Sequence, residues 1–296
     1  MPIAHEFEYA RPASIEEAVA LLEKRGGASR VLAGGTDVVS ELRDAVSTPD
    51  LLVDIKGIGG LDAIATEGDA LSIGPLATFT DLIESAAVRS ELPVLWEAAK
   101  TVGSVAIRNR ATMTGNICSA VPCCDAGAPL LVYDATVRVT GPDGARSIPI
   151  AEWFVGPRET ALGSVELVTA ITVPRTEQGH GGAYVKLGRS RGEDLAQASA
   201  AVLALPGNRY RVAFGAVAPT PVRAPRIEAL LEGRELTDAL IEEARALVPD
   251  ETAPITDVRA SREYREHMLP IMFERGIRAA AERLAGGGPA YGTRLV

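Results

Sequence analysis

The sequence predicts an α+β fold in two parts, and three observations predict it. The opening residues alternate strand and helix signals. From about Gly57 to Pro174 short strands are mixed with short helices, and beyond a polar connector strands come first and helices second. The 296 residues suffice for two domains with proper cores, and the apolar and charged fractions, 47% and 23%, are those of an ordinary globular protein.

The first fifty-odd residues read as β-α-β-α-β. Ser14 stands before the amphipathic run Ile15 to Leu22 with Glu17 three positions on, a capping-box signature, and Gly26-Gly27 stops that helix. Val31-Leu32-Ala33 is a short strand that runs into Gly34-Gly35-Thr36-Asp37. A second helix, Val38 to Asp44, and a strand, Leu51 to Ile55, follow. In the mixed stretch Leu71-Ser72-Ile73, Thr136 to Val139 and Val168 to Val173 read as strands, while Phe79 to Ser85 and Pro93 to Lys100 read as helices. The connector Arg175 to Gly182 marks a domain boundary. Ala183 to Leu187, Ala198 to Leu205 and Tyr210 to Val217 then predict a small antiparallel sheet. Helices are expected at Ile227 to Leu231, Asp238 to Leu247 and Ser261 to Leu284, the last with Pro270 as a candidate break. The glycine-rich tail, 286–296, is expected to be loose.

Composition excludes several functions. A net charge of −9 argues against a nucleic-acid footprint, which needs a basic face. No apolar run approaches the ~18 residues of a membrane span, and the first residues lack the pattern of an export signal. Cys118, Cys123 and Cys124 are too few and too crowded for a disulfide framework. A cytoplasmic setting is expected. The same three thiols lack a fourth ligand for zinc or an iron–sulfur cluster, and His5, His180 and His267 lie in unrelated segments. They read as small buried hydrophobes, with a redox-sensitive thiol as the alternative. No metal ligand and no catalytic acid or base is expected.

Two loops carry the chemical signal. At Gly34-Gly35-Thr36-Asp37 the glycines remove Cβ atoms where backbone approaches a ligand, and the helix behind supplies N–H groups for an anion. The alternative is a plain turn with Asp37 as the helix N-cap. The spacing matches neither Gly-x-Gly-x-x-Gly nor a P-loop. Thr101 to Asn116 is dense in glycines, hydroxyls and amides, which suits a ligand with many acceptors, a solvated loop being the alternative. Arg108 and Arg110 face either phosphate or a surface partner. Trp96 and Trp153 read as core or interface, and the charged helix beginning at Arg262 as a solvated face or a partner's docking site.

Ala33 to Asp37 and Ile107 to Ile117, followed by Ala120-Val121-Pro122 and Asp125, resemble the FAD-binding medium subunit of the xanthine dehydrogenase and carbon monoxide dehydrogenase family, the molybdenum hydroxylases. The resemblance continues through Tyr184 to Arg189, Asp194-Leu195-Ala196, Gly215 to Pro221 and Ser261 to Arg265, so it spans essentially the whole chain. It implies a two-lobed FAD-binding fold of the vanillyl-alcohol-oxidase type over 1–175, with lobes of about 1–57 and 58–175. A C-terminal domain of antiparallel sheet and helices is implied over 183–285.

By the same resemblance FAD is held non-covalently. Val31, Leu32, Ala33, Gly34, Gly35, Thr36, Asp37 and Val38, with Thr112, Thr114, Gly115 and Asn116, hold the diphosphate and its neighbours. Thr101, Val102, Gly103 and Ser104 form another turn beside the cofactor. Asp125 bonds the ribitol or ribose region, Val168 packs nearby, and Lys186 approaches the flavin ring, where a cation favours the anionic reduced form. Thr114 stands where the family often has glycine. Thr36-Asp37 replaces the His-Ser of carbon monoxide members, which favours an organic substrate.

The implied function is electron transfer. A large partner subunit carries molybdopterin and a small one [2Fe–2S] clusters, and the FAD passes electrons to NAD, a quinone, ferredoxin or oxygen. A self-contained FAD-dependent oxidoreductase of the same fold, such as an NADPH-dependent reductase, and a non-catalytic nucleotide-binding module are the alternatives.

Overall fold

The computed structural model describes residues 3–176, 179–190 and 194–296. Glu177 and Gln178, in the connector, lie outside the described residues.

The N-terminal lobe is a three-stranded parallel sheet in which Leu51–Asp54 lies between Glu8–Ala10 and Ser29–Leu32. Helix Ile15–Arg25 buries Ala18, Val19 and Leu22 against it. Ser14 Oγ accepts from the Glu17 amide at 3.2 Å, while the Glu17 carboxylate reaches back one residue further than the sequence pattern implies, to the Ala13 N–H at 2.8 Å. Either donor would otherwise be an orphan of the helix start.

The second lobe is a five-stranded antiparallel sheet, ordered Ile64–Glu67, Ala70–Ile73, Leu167–Pro174, Thr136–Gly141, Gly144–Pro149. Its core includes Trp153, Tyr133 and Phe79, all essentially sealed. Trp153 belongs to this core, its indole N–H donating to the Ile117 carbonyl at 2.9 Å, as a buried donor requires. Trp96 donates to the Ile83 carbonyl, with the Lys100 ammonium 4.4 Å from its ring.

The C-terminal sheet runs Gly181–Leu187, Ala198–Leu205, Arg209–Gly215, Val222–Arg223, all antiparallel. Strand side chains alternate faces, and here both faces are covered. Val185, Ala200, Val202, Val212 and Phe214 pack toward helix Arg262–Leu284, whereas Tyr184, Ala201, Leu203 and Ala213 join the core of the second lobe. That explains why Ala198–Leu205 is apolar at every position except Ser199 and buried throughout.

Helix Arg262–Leu284 is unbroken at Pro270. The proline removes one N–H from the ladder, and Leu269, Met272 and Phe273 on either side are buried against the sheet, which holds the helix through it. Its charged sequence is therefore only half a solvated face. The tail expected to be loose is tied down. Arg283 donates to the carbonyls of Pro289 and Ala290, its guanidinium lies 4.2 Å from the Tyr291 ring, and the Gly292 N–H donates to Glu97 at 2.7 Å. Among the described residues no helix is long and apolar enough to cross a membrane.

Candidate functional site

The two signal-bearing loops meet backbone to backbone. A Cβ on Gly34 would sit 1.9 Å from the Arg110 carbonyl oxygen, so Gly34 must lack a side chain to admit the second loop. Sequence alone offers only the approach of a ligand as the reason for a glycine there. Gly35 has φ +83°, a left-handed conformation that a side chain would strain. Asp37 stands at the N-cap position of the helix Val38–Arg43, but its side chain makes no capping bond. Its carboxylate crosses between the lobes and accepts from Ser119 Oγ at 2.5 Å. Beside it, Glu41 takes both Arg30 and Arg158, a second tie between lobes.

Between the loops lies an open groove. Ala33, Gly34 and Lys56 line it from one side, and Thr78, Asn109, Arg110 and Thr112 from the other, with Asp62 at its border. The Lys56 ammonium donates to the Ala33 carbonyl at 3.0 Å and pairs with Asp54 at 2.7 Å, which fixes a cation under the first loop. Arg110 is exposed along the groove. Arg108 is engaged by its own loop. Its guanidinium donates to the carbonyls of Val102 and Gly103 at 2.8 and 2.9 Å and so holds the 101–104 turn in shape.

Helix Met113–Ser119 starts at Thr112, whose Oγ1 accepts from the Gly115 N–H at 2.9 Å. Thr114 is buried in its first turn, and its hydroxyl has no hydrogen-bond partner. Buried hydroxyls are rarely left so, and a ligand acceptor would satisfy it. Asn116 faces the other way along the chain, its Oδ1 accepting from the Ala126 N–H at 3.1 Å. That bond places Asp125. One Asp125 oxygen accepts from Lys186 Nζ at 2.8 Å and the other from the Tyr184 hydroxyl at 2.9 Å. Lys186 Nζ also donates to the Thr101 carbonyl at 2.9 Å. Burial pushes the Asp125 carboxyl above its usual value, and the Lys186 cation beside it opposes that push.

The structure thus joins Val31 to Val38, Thr101 to Ser104, Thr112 to Asn116, Asp125 and Lys186 through a continuous series of contacts. Val168 stands apart from it. It lies at a bulge of strand Leu167–Pro174, buried in the second lobe's core. Sequence reasoning missed Tyr184, although the even-numbered alternation of Gly182, Tyr184 and Lys186 would have put it on Lys186's face. It also missed Lys56 and Ser119.

The thiols have little reactivity to offer. Burial pushes Cys118 and Cys124 up to about 12 and raises Cys123, so the nucleophilic thiolate is scarce at neutral pH. Among the described residues no group of three or more His, Cys, Asp or Glu side chains is placed to hold a metal.

A groove flanked by Lys56 and Arg110, with an unsatisfied hydroxyl at Thr114, two residues beyond Thr112 in its lining, suits an anionic ligand rich in acceptors. FAD, with its diphosphate, meets that description.

Residues 5–176 match the family described as the FAD binding domain in molybdopterin dehydrogenase, and residues 183–280 match the CO dehydrogenase flavoprotein C-terminal domain. The chain is 36% identical to the carbon monoxide dehydrogenase medium chain of Afipia carboxidovorans, over 95% of its own length and 99% of the relative's. It is 33% identical to the xanthine dehydrogenase FAD-binding subunit of Escherichia coli O157:H7, over 94% and 97%. Among solved structures it is similar to one chain of a carbon monoxide dehydrogenase from Hydrogenophaga pseudoflava, an enzyme solved without the Mo-pyranopterin moiety of its molybdenum cofactor. The TM-score there is 0.92 at 35% identity, covering 96% of this chain and 99% of that one.

Proposed function

Since this chain belongs to the family of FAD-binding medium subunits of molybdenum hydroxylases, we propose that it holds one FAD non-covalently in the interlobe groove and relays electrons through it. In this reading it takes electrons from [2Fe–2S] clusters on a small partner subunit. A large partner subunit carries molybdopterin and oxidises the substrate, and the electrons leave to an external acceptor, NAD, a quinone, ferredoxin or oxygen. We divide the chain accordingly into an FAD-binding domain, 1–175, and a C-terminal domain, 183–285. The three free thiols support a cytoplasmic setting.

The observation that carries the reading is the meeting of both loops at one groove, with Lys186, 152 positions from Gly34 in sequence, bonded to the second loop at the Thr101 carbonyl. Bound there, the flavin would supply the electron-accepting and electron-donating chemistry that amino-acid side chains lack. The chain's own residues bind and orient. Lys56, Arg110, Thr112 and Thr114 would meet the diphosphate, with Gly34 and Gly35 shaping the first loop and Asp37 latching it to Ser119. Asn116 and Asp125 hold the Lys186 ammonium at the Thr101 turn, where a fixed cation favours a negatively charged flavin. Val168 would support the cofactor from the core.

The test begins with flavin-free protein titrated with FAD and read by absorbance and flavin fluorescence. Stoichiometric binding is expected, and no uptake would refute the proposal. Co-expression with the neighbouring large and small subunits should give a complex in which substrate reduces the flavin. Rapid turnover of NADPH by the isolated chain would instead identify a self-contained reductase.

A further inference from the structure

Strand Gly181–Leu187 carries beside Lys186 a residue to which the resemblance assigns no role. Tyr184 is buried, and its ring fills space in the second lobe's core. Its hydroxyl donates to one oxygen of Asp125, while Lys186, two residues along the same face, donates to the other. Its backbone N–H donates to Glu97 Oε2 at 2.9 Å, which pins the strand to helix Pro93–Lys100. That helix ends at Thr101, whose carbonyl receives the Lys186 ammonium.

We infer that Tyr184 is a positioning residue for the flavin: its hydroxyl holds the Asp125 carboxylate turned toward Lys186, and so sets the charge presented at the Thr101 to Ser104 turn. The inference rests on FAD binding beside that turn. A fully desolvated carboxylate favours its protonated form, and each donor that addresses it favours the ionised one. Asp125 has two such donors, a cation and a neutral hydroxyl. Removal of the hydroxyl leaves Lys186 alone to oppose burial. Once Asp125 takes a proton, Lys186 loses its counter-charge, and the local charge changes from zero to one positive. A positive field favours the reduced flavin.

The other titratable groups around Asp125 are accounted for. Cys123 and Cys124 on its own loop are raised by burial, Cys124 to about 12, and burial lifts Tyr184 well above 10. Glu97, behind Tyr184, is matched by Arg283, and Arg259 faces Cys123. Asp125 is the carboxyl here whose charge is set by burial on one side and by the Lys186 and Tyr184 donors on the other.

The test uses full-length protein reconstituted with FAD, with the flavin midpoint potential measured between about pH 5 and 9 for wild type, Tyr184→Phe and Asp125→Asn. In Tyr184→Phe the inflection assigned to Asp125 is expected about one pH unit higher, the scale of one lost hydrogen bond. In Asp125→Asn the inflection should vanish. A Tyr184→Phe curve that superimposes on wild type overturns the inference, as does a folded Tyr184→Phe protein that takes up no FAD. If Tyr184→Phe does not fold, Asp125→Asn decides, and a curve there that superimposes on wild type overturns it. Wild type that takes up no FAD refutes the proposed function itself, a separate outcome.

Discussion

Where the two loops bring the lobes together beside the groove, contact is backbone on backbone and polar atom on polar atom. Gly34 lies against the Arg110 carbonyl, Asp37 on Ser119, and Glu41 between Arg30 and Arg158. Where the C-terminal sheet meets the second lobe, contact is a continuous apolar layer around a buried ion pair, Glu97–Arg283, with side chains 5% and 3% exposed. The first junction adds to these polar contacts an apolar cluster smaller than that of the second and leaves a groove open to a ligand. The second is finished without one. A cofactor bound across the first would contribute there by mass action what the second already has in packing.

The sharpest way to break the second junction is Arg283→Met. Glu97 would keep the N–H donors of Tyr184 and Gly292 but lose its counter-charge, and Arg283's bonds to Gly182, Pro289 and Ala290 would go with it. Removing one partner of a buried pair costs about 3–5 kcal/mol. Thermal unfolding should show that loss with or without FAD. A drop under about 1 kcal/mol would mean that the pair is ornamental and the apolar layer suffices.

The first junction should fail in a different way. Gly34→Ala places a methyl inside the Arg110 carbonyl, and the lobes must part to accept it. Overpacking of this kind costs about 1–3 kcal/mol. The larger consequence is expected in FAD affinity, reduced on the order of 100-fold if most of that strain appears as lost binding. Titration of the flavin-free variant with FAD measures it. Unchanged affinity would mean that the groove does not depend on the interlobe fit.

Acid should sharpen the contrast from the outside. Asp257 is held down to about 2. Burial opposes this, and the N–H groups of Arg259 and Ala260, with the Arg265 guanidinium, outweigh it. A carboxyl with a depressed folded value contributes stability that is whole above its ordinary value near 3.8 and lost as pH falls toward 2. Arg265 also donates to the Ala216 carbonyl, and the Ala216 N–H to Pro122, so this network backs the Asp125 end of the site. Asp257→Asn should therefore flatten the stability curve between pH 4 and 2 and leave FAD affinity at neutral pH nearly as it was. Acid unfolding followed by circular dichroism reads it.

The sequence was most informative where a local pattern has one physical solution. Short, nearly continuous apolar runs such as Ala198 to Leu205 become strands, and the Ser14 start becomes a capped helix. The segments of the site were legible through their resemblance to a family, and the structure brings them together. What local reasoning missed is tertiary in origin. Nothing near Gly34 announces that Arg110 will lie against it, and nothing near Asp37 announces Ser119, 82 residues away. The expectation of a loose tail failed for the same reason, because Glu97, the group that captures Gly292, is 195 residues distant. Tyr184 differs, since its place on Lys186's face follows from strand alternation alone.

The smallest effect is the most selective. Ser119→Ala removes the donor that Asp37 reaches at 2.5 Å and little else, because the helix Met113–Ser119 ends there and tolerates alanine. A hydrogen bond to a charged group contributes about 1.5–3 kcal/mol when buried, and less at a half-exposed latch such as this one. If Asp37 served only as an interlobe latch, Ser119→Ala should weaken FAD binding by a few-fold, and Asp37→Asn should do the same. If the carboxylate also bonds the cofactor, Asp37→Asn should cost markedly more than Ser119→Ala. The ratio of the two dissociation constants therefore divides the latch from the ligand contact. A ratio near one leaves the first junction held together by protein alone, as the second is, and removes the asymmetry between them at this position.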